Sequence, residues 1–311
     1  MKLPGQERIE NLAATGLRAW LIVGILLRVT RLRDRFDGLA LVFYSTPWPV
    51  IAAGFVGLAL HYYRRGNGHA VRRYAAFTLV ALFTWVATSW FSTPPAAGVP
   101  ALTFIQWNVA GPDQRLASCA AWMRQRNPDI ICLSEFRPIK VEVMDRWRRE
   151  FPDYVVTGGH GYMLCLVRGE VLASESGILG DSSYFTLLRL RVGGRPVNLL
   201  QMDGCARAAQ SRRATLARLV ELTRAYPGGN LIVAGDFNTP RESYHLDPLR
   251  ADFTNAFEAA GRGFAETWPV PTLALTLDQV WVGRRWRVLD CVHGWSWLSD
   301  HRPVAVKLAA E

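Results

Sequence analysis

Several short stretches of this 311-residue chain set carboxylate, amide or imidazole side chains at the edge of an apolar run. Three follow such a run: Trp107-Asn108, Leu133-Ser134-Glu135 and Gly235-Asp236-Phe237-Asn238. Two precede one: Asp278-Gln279-Val280 and Leu298-Ser299-Asp300-His301-Arg302-Pro303. Strand ends are places where such groups converge, and these are the residue types that move protons and hold hard cations. Each stretch taken singly has a plainer reading. Asn108 suits a turn, Glu135 a surface charge, Asp236 and Asn238 an Asx-turn behind Gly235, and Asp300 a cap. Their order and spacing together favour a site.

In that order, FIQWNVAG (104–111), PDIICLSE (128–135), VAGDFNTP (233–240), TLDQVWV (276–282) and LSDHRPVAV (298–306) resemble the endonuclease/exonuclease/phosphatase superfamily. Its members include pancreatic deoxyribonuclease, abasic-site endonucleases, sphingomyelinases and inositol-polyphosphate phosphatases. The resemblance covers residues 102–308, and the GDFN and SDHRPV pair is its most specific part. It implies metal-dependent hydrolysis of a phosphate ester, which needs neutralised phosphoryl oxygens, an oriented water and a stabilised leaving oxygen. Glu135 is then the principal Mg²⁺ ligand, helped by Asn108 and Asp300, with Mn²⁺ as the alternative ion. His301 contacts the phosphoryl centre as general base or cationic donor, and Asp278 orients its ring. Asp236 positions or deprotonates the water. Asn108 and Asn238 join His301 in holding substrate.

One position departs from the family pattern. Where the family has a His at the end of a strand, this chain reads Val197-Asn198-Leu199-Leu200-Gln201-Met202-Asp203. A carboxylate cannot imitate a cationic imidazole, so Asp203 alters phosphate or leaving-group contact, adds a metal ligand opposite Glu135, or merely caps a turn. Two other histidines, His160 after Gly158-Gly159 and His293 beside Gly294, read as loop residues.

These groups need a frame. Apolar runs predict strands at 102–107, 130–134, 153–157, 161–167, 184–191, 196–202, 230–234, 277–282, 286–292 and 303–308. Helices are expected at 114–126, 140–151 and 206–225. The last of these carries Arg207, Arg212, Arg213, Arg218 and Arg224 on what reads as a solvated face. The expected class is α+β: a four-layer sandwich of two packed sheets flanked by helices, preceded by a helical transmembrane region. Residues 1–95 form that membrane region and residues 101–311 the catalytic domain.

Three apolar segments, 12–27, 47–63 and 74–91, mark about three membrane spans, although Arg18 interrupts the first. Residues 1–100 hold eleven Lys/Arg against four Asp/Glu, so most of the net charge of +10 belongs to this region. The Arg64, Arg65, Arg72 and Arg73 cluster between the second and third segments favours the cytoplasmic side for that loop and the outer side for the domain. Arg28, Arg31, Arg33 and Arg35 conflict with three simple spans. An interfacial helix there, or a re-entrant hairpin at Pro47 and Pro49, resolves the conflict. The five cysteines are odd in number and lack CxxC spacing, so neither a zinc site nor a complete disulfide framework is indicated.

The expected function is therefore a multi-pass phosphohydrolase of a bacterial inner membrane, with its catalytic domain outside. The three-span head and the stretch NAFEAAGRGFAETW (255–268) resemble a membrane-anchored bacterial branch associated with glycopeptide-antibiotic resistance. Expected partners are the bilayer and a phosphorylated, lipid-linked substrate, with no obligate protein partner. Nucleic acid is a less favoured substrate, for which Arg207, Arg212 and Arg213 would have to build a groove. A degenerate binding domain is the alternative motivated by Asp203. Trp295 and Trp297, just ahead of Asp300, could rim the site and touch lipid.

Overall fold

The computed structural model describes residues 4–96, 101–111, 113–136, 141–226 and 229–311. Lys2, Lys140 and residues 97–100 between the two expected domains lie outside these. The chain divides into two compact units, Met1–Trp90 and Phe91–Glu311.

The first unit is helical: α1 (Pro4–Val29), α2 (Asp37–Ser45), α3 (Trp48–Tyr63) and α4 (Gly68–Ser89). Two stretches, Glu7–Val29 within α1 and Gly68–Ser89, are long and apolar enough to cross a membrane. The middle segment expected at 47–63 is the single helix α3, and the chain bends where α2 enters it. α2 and α3 meet at a 71° bend, so together they are a broken span or a re-entrant loop. Pro47 and Pro49 sit at that break, where proline removes backbone donors and starts a new helix. Arg28 donates to the carbonyls of Phe43 and Thr46 at the end of α2, answering acceptors that the helix leaves open. Asp34 is fully buried and accepts from the Tyr44 hydroxyl at 2.7 Å. Residues 31–36 are not helical, so no interfacial helix forms there, and Arg28 is tied into the bend.

The second unit contains β1 (Trp90–Ser92), β2 (Leu102–Asn108), α5 (Leu116–Arg124), β3 (Ile130–Ser134), α6 (Val141–Glu150), β4 (Val155–Gly158), β5 (Leu164–Val167), β6 (Glu170–Gly180) and β7 (Ser183–Val192). It continues with β8 (Arg195–Asp203), α7 (Arg213–Arg224), β9 (Leu231–Asp236), β10 (Phe253–Asn255), α8 (Ala256–Ala260), β11 (Gly261–Phe264), β12 (Asp278–Gly283), β13 (Trp286–His293) and β14 (Val304–Ala310). Eight strands form one sheet in the order β1-β11-β13-β14-β2-β3-β5-β4, and six form the other as β10-β12-β9-β8-β7-β6.

Alternation along the strands builds the layers. Phe104, Ile130 and Cys132 of the large sheet join Leu188, Leu199, Ile232 and Val280 of the small one in the core between the sheets. Their neighbours Ile105, Ile131 and Leu133 point the other way, onto Leu116, Met123 and Trp147 of α5 and α6. On the far side Leu200, Met202, Val233 and Trp281 pack against Leu216 and Leu219 of α7. Each fully buried large side chain contributes about 2 kcal/mol, so both faces of both sheets have a reason to be covered. The result is the expected four-layer sandwich.

The differences are local. The helix expected from Ala206 begins at Arg213. Residues 170–180 form the long edge strand β6, whose mixed, largely exposed pattern has no apolar alternation to announce it. His293 is the last residue of β13, buried and stacked on Phe257 at 4.0 Å between ring centres, and is not a loop residue.

Candidate active site

Strand register gathers the predicted residues at one end of the two sheets. β2 and β3 are parallel with Asn108 opposite Ser134, so Glu135 emerges one residue beyond. β8 and β9 are parallel with Asp203 opposite Asp236. β12 runs antiparallel to β9 and brings its first residue, Asp278, opposite Asp236. β14 pairs with β2 through Val304 and Gln106, which carries the preceding Asp300-His301 turn toward Asn108.

Backbone conformation at this end is unusual. Glu135 and Asn238 have positive φ, 52° and 46°, in the left-handed region that costs non-glycine residues energy. Gly235 makes the close pairing of β8 and β9 possible, because a Cβ there would lie 1.9 Å from the Met202 carbonyl oxygen.

The side chains meet as follows. His301 and Asp278 are both buried, and His301 Nδ1 lies 2.7 Å from Asp278 Oδ2. The main-chain N–H groups of Leu277 and Asp278 donate to Thr267 Oγ1, which fixes the start of β12. Asp236, also buried, approaches His301 Nδ1 to 4.0 Å through Oδ2. Asn108 sits among them: its Nδ2 donates to Asp236 Oδ2 at 2.9 Å and to Glu135 Oε1 at 3.2 Å, and lies 3.5 Å from His301 Nε2. Asn108 Oδ1 accepts from the Ala110 N–H. Asn238 donates its backbone N–H to Asp236 Oδ1 at 2.8 Å and its Nδ2 to the Gly204 carbonyl at 2.9 Å. Asp203 is half-buried at the end of β8, on the same sheet end as Asp236.

Asp300 is exposed, and its Oδ2 accepts from Trp268 Nε1 at 3.1 Å. Trp268 thus stands beside the site, its ring centre 6.3 Å from that of His301. Ser299 Oγ donates to the Asn108 carbonyl at 2.8 Å and accepts from the His301 N–H at 3.1 Å, locking the turn to β2. Trp107 lies beneath, with Nε1 donating to the His301 carbonyl at 3.0 Å. Thr267, Trp268 and Ser299 are supporting residues that sequence reasoning left unassigned, although all three stand inside or beside quoted motifs.

Arg212 gives a clearer correction. Its guanidinium is buried, not solvated, and Nε donates to the Asn238 carbonyl at 3.2 Å. It holds the Asp236–Asn238 turn from below and leaves the arginine groove envisaged for nucleic acid. Arg207 remains exposed and donates to Ser182 Oγ.

Charge explains the titration of the cluster. Burial raises the Asp236 carboxyl and the Asp278 charge adds to this, while His301 and hydrogen bonds from Asn108 and Asn238 oppose; the balance is about 6. Burial alone would depress His301, yet the Asp278 charge and hydrogen bond, with Asp236 and Asp300, push it up to about 10. His301 is therefore an imidazolium at neutral pH, held on its Nδ1 side by Asp278.

A hard cation fits these residues. Asp236 and Asp278 bring two carboxylates into one buried corner with His301 as the single cation of that cluster, and Glu135 adds a third carboxylate across Asn108. Asp278 Oδ1 is buried with no hydrogen-bond partner among the described residues. An excess of acceptors and negative charge in low dielectric calls for a cation. Oxygen donors from carboxylates suit Mg²⁺ or Mn²⁺.

Similarity to known proteins agrees with this arrangement. A sequence model of the Endonuclease/Exonuclease/phosphatase family matches residues 105–301. No curated protein matches the chain in sequence. Among solved structures, an endonuclease/exonuclease/phosphatase family protein from Bacteroides thetaiotaomicron superposes with a TM-score of 0.58 at 14% identity, covering 69% of this chain and 100% of its own. A mannosyl-6-phosphatase from the same organism reaches 0.53 at 17% identity, with 67% and 99% covered. TDP2 from D. rerio, solved with a single-strand DNA product, reaches 0.54 at 16% identity, with 68% and 100% covered. At these identities the structures speak for the fold, and the family match spans more than half of the chain. This chain belongs to the endonuclease/exonuclease/phosphatase family.

Proposed function

We propose that this chain is a membrane-anchored, divalent-metal-dependent phosphohydrolase that cleaves a phosphate ester or pyrophosphate of a lipid-linked substrate. The observation that carries the reading is the buried His301–Asp278 pair at 2.7 Å, set beside Asp236 and joined to Glu135 through Asn108. Residues from five separate segments converge there, and nothing in the packing of the sheets requires those charges.

In this reading His301, kept as an imidazolium by Asp278, turns Nε2 toward the substrate and donates to a phosphoryl oxygen. Asp236 holds the attacking water in line and draws its proton, while Asn238 and Asn108 keep that carboxylate in place. Glu135, which Asn108 Nδ2 reaches at 3.2 Å, would hold Mg²⁺ or Mn²⁺ with the help of Asn108 and Asp300, and the ion would supply charge neutralisation to phosphoryl and leaving oxygens. Asp203 takes the place of the usual family His and acts on the side of Asp236. A carboxyl group there cannot stand in for a cationic imidazole, so the reading favours a leaving group that needs little protonation, such as a phosphate.

The anchor supports a substrate in the bilayer. Two helices suit membrane spans, and the second unit carries little net charge, so tethering offers more than electrostatic capture of a duplex would. In this reading the Arg64–Arg73 cluster favours the cytoplasmic side of a bacterial inner membrane for its loop, with the catalytic unit outside. Loss of Arg212 from the surface weakens the nuclease alternative.

The test is Mg²⁺-dependent hydrolysis by the detergent-purified full chain and its His301→Ala variant, read as phosphate release from a lipid pyrophosphate and as product formation from a phospholipid, a phosphodiester reporter and single-stranded DNA. Release from the lipid pyrophosphate that disappears with chelator and with the variant supports the reading. Turnover of DNA alone would make the chain a nuclease. Metal-independent turnover, or none on all four, refutes the proposal.

A further inference from the structure

A cleft of about 610 Å³ opens among α1, α3 and α4 of the helical unit. One wall is Arg18, Ile22, Ile25 and Val29 of α1, and another is Arg73, Phe77, Val80 and Thr84 of α4. Both walls step by four, three and four residues, the spacing of a single helical face. Trp48 and Phe55 of α3, with Tyr74 and Ala81 of α4, complete the lining.

Both walls begin with an arginine at the same end. Arg65, in the turn that leads into α4, lies 3.5 Å from Glu7 and 3.7 Å from Glu10 in the first turns of α1. α1 and α4 therefore leave that end in the same direction. The Arg18 side chain runs back toward it, donating from Nε to the Ala14 carbonyl and from a terminal nitrogen to Thr15 Oγ1. Arg73 lies over the ring of Tyr74 at 5.1 Å. Among the described lining residues there is no carboxylate to neutralise the two guanidiniums. Beyond them the walls are apolar and uncovered: Ile22, Val29 and Val80 are 57%, 60% and 62% exposed. From its arginine each wall extends roughly 16 Å at about 1.5 Å per residue, close to one leaflet of a hydrocarbon core about 30 Å thick.

We propose that this cleft binds an anionic phospholipid of the surrounding bilayer, with the phosphate at the Arg18 and Arg73 end and an acyl chain along the two apolar walls. Guanidinium groups match phosphate oxygens in fork geometry, and a zwitterionic headgroup would bring a cation to the same place. The lipid would bridge α1 and α4 across the cleft, each of which packs on α3. The inference rests on the reading of this unit as membrane-embedded.

The full chain in neutral detergent, given equal amounts of dioleoyl phosphatidylglycerol and dioleoyl phosphatidylcholine, is examined by native mass spectrometry. The expected result is retention of phosphatidylglycerol on the order of tenfold over phosphatidylcholine, from charge attraction at two arginines. The preference disappears in Arg18→Gln/Arg73→Gln and persists in Arg72→Gln. Val80→Trp fills the cleft with both guanidiniums intact and lowers retention of both lipids. Equal retention by the unaltered chain, or an unchanged preference in the double variant, overturns the proposal. Alkaline washing of membranes separates the two readings: a chain that washes off refutes membrane residence and the lipid site together, and one that stays but shows no preference refutes the lipid site alone.

Discussion

One connection, between β13 and β14, has a buried histidine at each end, and the two ends have opposite electrostatic character. His293 closes β13 against Phe257, where burial first and then the Arg302 and Arg241 charges drive its pKa well below the usual range. His301 stands eight residues on in a pocket of carboxylates that overcomes the same burial penalty and raises it to about 10. Desolvation disfavours the charged form in both places, so depth alone does not decide the charge of a buried histidine. The sign of the neighbours does. Arg302 belongs to this division, because its buried guanidinium bonds the His293 carbonyl and those of Phe264 and Glu266, and so keeps the cationic half of the turn rigid.

The largest expected effect tests the anionic end. His301→Ala lowers Mg²⁺-dependent phosphate release by on the order of 10²–10⁴ with the fold intact by circular dichroism; a variant within threefold of the parent would remove His301 from the chemistry. Asp278→Asn comes next, at about 10²-fold in kcat. Loss of that charge also moves the His301 imidazole downward from about 10 in an NMR titration. An imidazole that stays put would show that Asp236 and Asp300 are sufficient. Glu135→Gln is expected to raise the Mg²⁺ concentration for half-maximal rate by at least about tenfold, read from a metal titration, with substrate KM at saturating metal changed less.

The smallest effect belongs to the cationic end. Unfolded imidazole takes a proton near 6.5, whereas folded His293 does so only well below. The unfolded chain thus binds more protons, and this site withdraws stability as pH falls through 6.5, by up to about 1.4 kcal/mol per pH unit. In His293→Gln that loss is absent, so denaturation midpoints of the variant gain on those of the parent between pH 7 and 5. A constant difference across that range would break the contrast drawn between the two histidines.

Much of the candidate site was legible in the sequence. Asn108, Glu135, Asp236 and Asn238 follow apolar runs that could only be strands of a packed sheet, and strands of one sheet end together. Asp278 and the Asp300-His301 turn were readable through the motifs around them. Arg212 was not, because a charged residue in an Arg-rich stretch looks the same whether it points to water or folds under a turn. His293 was misplaced for a related reason: the adjacent Gly294 signals a loop, while β13 in fact extends to His293 before the chain turns. The α2–α3 bend was foreshadowed by Pro47 and Pro49, but its 71° angle depends on packing and on Arg28 reaching across to α2.

By itself the sequence determined which residues could do chemistry, the two-sheet class of the domain and the apolar helices ahead of it, because residue type and hydrophobic period are local properties. Only the tertiary structure decided that Asp278 faces His301 Nδ1, that Asn108 bridges Glu135 to Asp236, and that arginines from α1 and α4 share one end of a cleft. Those relations join residues far apart in the chain, and they depend on strand register and helix direction. The charge state that a buried group adopts follows from the company that register brings to it.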